Sequence, residues 1–130
     1  LKGVHDFTAT TGDTFKIALY TSSATLGAST TAFTTDNEIT NSSGTAYTSG
    51  GATLTSVTPT TDSTTAVCDF ADVSFTSASF TANGALIYNS SESNAAVAAI
   101  AFGADKTVSS GTFTIQFPTA GATTAIIRLA

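Results

Sequence analysis

Few residues in this 130-residue chain are able to do chemistry: one histidine, one cysteine and nine carboxylates. Acyl transfer needs a nucleophile beside a base that a third group orients. The only base of that kind is His5, close to the first residue, where a general base is poorly held, so it reads as incidental. The chain contains no GxSxG, HExxH or phosphate-binding glycine loop. Glycoside hydrolysis needs two carboxylates across a cleft. Asp69 and Asp72 are the nearest pair within a strand-like stretch, but their odd spacing puts them on opposite faces of a regular strand. They read as solvated rim carboxylates, or, if a bulge turns them together, as a Ca²⁺ site. Asp36-Asn37-Glu38 and Asp105 have the composition of turns. Cys68 is alone, which leaves no internal disulfide and no thiolate cage, and it reads as a small buried hydrophobe. The expectation is therefore no catalytic residue, no metal and no cofactor.

Binding chemistry is equally sparse. Sugar-binding surfaces favour flat aromatic platforms, but there is no Trp, and Tyr20, Tyr47 and Tyr88 are far apart in sequence. Lys2, Lys16, Lys106 and Arg128 are scattered over a chain of net charge −5, which argues against nucleic acid and against anionic membrane surfaces. No apolar run reaches the ~18 residues of a membrane helix. Charged residues make up only 10% of the chain, against about 25% in a typical soluble protein. Ser and Thr, about a third of the sequence, take their place. A hydroxyl-covered surface is hydrated yet barely repels a copy of itself, so it packs beside other protein at little electrostatic cost. Two glycosylation sequons, at Asn41 and Asn89, would matter only in a eukaryotic secretory pathway.

The elements that must position these residues are strands. Residues 84–117 read as a three-stranded meander, with a first turn at 89–94 and a second connection starting at Gly103-Ala104-Asp105-Lys106. Phe113, Ile115 and Phe117 alternate with Thr112, Thr114 and Gln116, the period of a half-buried strand. Residues 95–102 are apolar on both faces, as in a strand inside a sheet covered on both sides. Residues 14–20 form a strand with Phe15, Ile17 and Leu19 on one face. A strand over 52–57 ends at Thr58-Pro59, 60–65 is a turn, and the apolar face switches near Ala71-Asp72, predicting a bulge or break. A last strand covers 124–129, while 1–7 reads as the tail of a helix stopped by Gly3. Between them, 21–51 is a long arm or loop excursion with isolated apolar residues at Leu26, Phe33, Ile39 and Tyr47. These are the candidate contacts to a partner, with a self-packed loop as the alternative. The whole predicts one all-β domain over 1–130: an antiparallel β-sandwich or jelly-roll-like barrel of about seven to eight short strands.

Several segments carry a resemblance. The runs 14–20 (TFKIALY), Asn37-Glu38, 47–51 (YTSGG), 84–89 (GALIYN), 102–106 (FGADK) and 111–117 (GTFTIQF) resemble small β-rich virion structural proteins of tailed bacteriophages. That resemblance implies a non-enzymatic particle component located in the virion and assembled in the host cytoplasm. It favours a capsid decoration (cement) protein that bridges capsid subunits, with the major capsid protein or other virion proteins as partners and a homo-oligomer, a trimer foremost. It also implies a helical segment ahead of Leu1. A tail or fibre component with a receptor-binding role, and a bacterial surface or fibre-forming subunit, are the alternatives.

Overall fold

Phe15-Lys16-Ile17-Ala18-Leu19-Tyr20 alternates large apolar side chains with residues that are themselves mostly apolar, so it needs cover on both faces. In the computed structural model, which describes residues 4–40 and 47–129, that is its position. The described residues are all-β, with seven strands: β1 (Phe15–Tyr20), β2 (Ala52–Thr53), β3 (Ser56–Asp62), β4 (Thr65–Phe70), β5 (Val73–Asn89), β6 (Ala95–Ile115) and β7 (Ile127–Leu129). They form two antiparallel sheets, ordered β2-β1-β5-β6 and β3-β4-β7. This is the sandwich-like class the strand periodicities predict, built from seven strands of very unequal length. No helix occurs among the described residues, and residues 4–7 are irregular, whereas Gly3 lies outside the described residues.

The register explains the two-sided burial of β1. Ile17 pairs with Ile87 and Leu19 with Ala85, which sets Phe15, Ile17, Leu19, Ala85 and Ile87 on the face that builds the main core. Each fully buried Phe, Ile or Leu among them contributes about 1.5–3 kcal/mol, and Ala85 less. Phe7 stacks on Phe15 with centroids 4.6 Å apart, and Phe70 of β4 meets Phe15 at 5.5 Å, joining the second sheet to the first. Ala18, Tyr20, Leu86 and Tyr88 face the other way, and Ala24, Leu26 and Phe33 cover them. The described part of the 21–51 excursion therefore folds back over its own sheet. Thr21 N donates to Asn37 O and Ile39 N to Leu19 O, and Phe33 stacks on Tyr88 at 4.6 Å.

Four expectations are corrected. Residues 95–102 lie on β6, at the edge of the sheet and not inside it; both faces are partly covered, but from Val97 onward one lateral edge has no strand against it among the described residues. The connection expected at 103–106 is an irregularity within one strand. Ala101 pairs with Gly84 and Lys106 with Ala82, so four residues of β6 oppose a single residue of β5, and Gly103 takes a left-handed φ of 77° there. Pro59 does not end a strand but sits within β3, an edge strand whose register shifts between Val57 and Thr60, where a missing N–H is harmless. The final strand is Ile127–Leu129, shorter than 124–129, since 122–124 form a turn and 125–126 are irregular. The break near Ala71-Asp72 is present, as the step from β4 to β5.

Candidate functional site

The polar groups of this fold converge at two buried points, neither of which the sequence marked as a site. The first is Glu38, only 7% exposed. Its Oε1 accepts from the Tyr47 hydroxyl at 2.6 Å and from Gly50 N at 2.6 Å, and its Oε2 accepts from the Ser49 hydroxyl at 2.7 Å. The Tyr47 oxygen in turn accepts from Leu19 N of β1 at 3.0 Å, and Tyr88 donates to Gly50 O at 2.7 Å. One carboxylate thus ties the returning excursion to the 47–51 turn, and that turn to the central strands. Hydrogen bonds to an ionised acceptor are the strong ones, and these are short.

The phenols around Glu38 titrate abnormally. Burial pushes Tyr20 up to about 12, with the Glu38 charge adding to it. Burial, and then the bond to Glu38, push Tyr47 well above the ordinary range. Tyr88 is raised by the same burial and the same charge. In an unfolded chain all three ionise near pH 10. Below that pH both states hold these protons and their contribution to stability is complete. As pH rises from about 10 towards 12 the unfolded chain loses protons that the folded chain keeps, so stability falls. The melting temperature is expected to decline over this window, and Tyr20→Phe to flatten the decline. Thermal melts across alkaline pH check this, and parallel curves for parent and variant would refute it.

The second point is Asn89, with no exposed surface. Its Nδ2 donates to Asp13 Oδ2 at 2.7 Å and lies 3.0 Å from His5 Nδ1, while its Oδ1 accepts from Ser91 N at 3.0 Å. Asp13 Oδ2 also accepts from Asp6 N at 2.8 Å. Asp6 accepts from both the amide and the hydroxyl of Thr8, and these bonds, the hydroxyl's foremost, hold its carboxyl below the usual range. His5 is therefore no loose terminal residue. It is half-buried near Phe7 and Phe15, at 6.1 and 6.2 Å, and pins residues 4–8 to the end of β5. The Asn89 sequon is not usable in this fold, because the amide nitrogen is buried and engaged. The Asn41 sequon lies outside the described residues.

Three further carboxylates, Asp62, Asp72 and Asp105, also tie distant parts of the chain together. Asp72 Oδ1 accepts from Phe117 N, Asp62 Oδ2 from Ala122 N and Asp105 Oδ1 from Asn83 Nδ2, while Asp69 Oδ1 accepts from the adjacent Phe70 N. Asp69 and Asp72 are thus engaged separately, and among the described residues no three His, Cys, Asp or Glu side chains gather as a metal centre. Asp36 is exposed in its turn. Cys68 is half-buried, and burial pushes its thiol up.

No protein-family model, curated protein or solved structure matches this chain. The site must therefore be read from its own geometry. Of the four candidate partner contacts, Ile39 and Tyr47 are 4% and 0% exposed and belong to the main core, so neither is available to a neighbour. Leu26 and Phe33 are half-buried over Tyr20, Leu86 and Tyr88. The residues missed, Glu38 and Asn89, had one faint signal each: Glu38 precedes an isolated Ile, and Asn89 closes an apolar strand.

Proposed function

We propose that this chain is a non-enzymatic structural subunit of a virion, a capsid decoration protein that bridges neighbouring capsid subunits. The observation that carries the reading is the use made of the acidic groups. Glu38, Asp13, Asp62, Asp72 and Asp105 hold distant parts of the chain to one another, and the outer surface is left largely to neutral hydroxyls and small apolar side chains. A body braced in this way suits work done by shape and contact. The likeness of the 14–20, 84–89 and 111–117 runs to phage virion proteins supplies the setting. Cryo-microscopy of the intact particle tests it. Many copies on the capsid exterior, at the junctions between capsid subunits, are expected. A few copies confined to the tail would replace it with the tail or fibre reading, and absence from the particle would overturn both.

A further inference from the structure

The four sheet edges are protected unequally. β2 is two residues long, β7 is three and carries Arg128, and β3 carries Pro59, Asp62 and a register shift. These are the usual devices against edge-to-edge pairing. β6 lacks them over one window. At its start the edge is closed by residues 31–33: Ala96 N donates to Thr31 O, Phe33 N donates to Asn94 O, and Ala32 bridges Ala95. Beyond, Gly103 at φ 77° takes the strand out of line. Between these stops Val97-Ala98-Ala99-Ile100-Ala101-Phe102 has no charge, no proline and, on the edge away from β5, no strand beside it among the described residues.

We infer that the open edge of β6, from Val97 to Phe102, is the docking site for a second copy of this chain, paired antiparallel about a two-fold axis through Ile100. The window is complementary to itself under that axis. Ala98, Ile100 and Phe102 border the main core on one face, and the axis sets Ala98 opposite Phe102 and Ile100 opposite Ile100, so small meets large. Ala99 and Ala101, exposed on the other face, meet each other. The axis sets Lys106 opposite Asn94 and Asp105 opposite Ala95, with Glu92 in the turn beyond, so charges of both signs meet at the rim while none lies within the ladder. A foreign strand would share the backbone pattern but has no reason to share these steps in size. An antiparallel edge pair yields a dimer, not the trimer that the family resemblance implies, and it stands without the virion reading.

The test uses the purified full chain in sedimentation equilibrium, with no particle present, so its failure is separate from failure of the virion reading. Twice the single-chain mass is expected. Ala99→Lys with Ala101→Lys faces like charges across the axis twice and is expected to raise the dissociation constant at least about tenfold. Ala99→Lys with Ala101→Glu faces opposite charges in the same register and is expected to restore pairing. Both positions are exposed, and circular dichroism checks that each variant folds. Single-chain or threefold mass, or lysines that leave the association unchanged, would overturn the inference.

Discussion

Gly51→Ala is expected to be the most damaging single methyl in the molecule. Gly51 has a φ of 72°, and a Cβ there would lie 1.8 Å from Ile17 O and 2.6 Å from Ile17 C. The obstructing atoms are backbone, and that backbone belongs to β1, held between β2 and β5 with Ile17 fully buried. No side chain can swing away to make room. The turn must lift off β1, breaking the pairing of Ile17 with Ala52 and disturbing the neighbouring bonds of Gly50 to Glu38 and Tyr88. Overlap and left-handed strain together place the cost at about 4 kcal/mol or more, a fall of about 15 °C in Tm, or loss of soluble protein. Gly27→Ala is the control, since no atom lies within 4 Å of its added Cβ and its φ is not left-handed. It should stay within about 0.5 kcal/mol of the parent in urea unfolding. Equal stability of the two variants would mean that the 48–51 turn does not rest on β1.

Where side-chain period reports the environment directly, the fold was legible. The alternation in β1 and at the end of β6, the polar turn after Asn89 and the face switch at Ala71-Asp72 all have their expected counterparts. Residues 95–102 show the limit of that signal. A strand apolar on both sides suggests cover on both faces; here the core lies against one, the returning 21–40 segment covers the other only around Ala96 while Ala99 and Ala101 stay exposed, and the pattern says nothing about the lateral edges. Gly103-Ala104-Asp105-Lys106 has turn composition because this irregularity, like many turns, uses a left-handed glycine and exposed polar residues, and it lets β6 continue. Ile39 and Tyr47 stand alone in a polar run, and isolated apolar residues carry no period to distinguish their own core from a partner. Glu38 and Asn89 were beyond reach for a related reason: their donors come from residues that are distant in sequence or have no pattern of their own. The longest such link, from Asn89 to His5, spans 84 positions.

Glu38→Ala is expected to cost about 3 kcal/mol, because it removes the acceptor from two buried donors at once, the Tyr47 hydroxyl and Gly50 N. The Ser49 hydroxyl is exposed enough to turn to water and adds little. Glu38→Gln separates geometry from charge. Both buried donors meet Oε1, so an amide oxygen placed there keeps both bonds, and the amide nitrogen donates to a Ser49 hydroxyl that can rotate to accept. Losing only the charge assistance, that variant should cost about 1 kcal/mol. Tyr47→Phe leaves Leu19 N without an acceptor and Glu38 with one fewer donor, at about 2 kcal/mol. Because Glu38 and Tyr47 share one bond, the double variant Glu38→Ala, Tyr47→Phe should cost about 1 kcal/mol less than the two single costs added together. Additive costs would show that Glu38 and Tyr47 act independently. The consequence for surface chemistry follows from what Glu38 anchors. With the latch gone, residues 21–40 lose their strongest tie over Tyr20, Leu86 and Tyr88, and a dye that binds apolar surface should brighten with Glu38→Ala well below its melting temperature while Glu38→Gln stays dark.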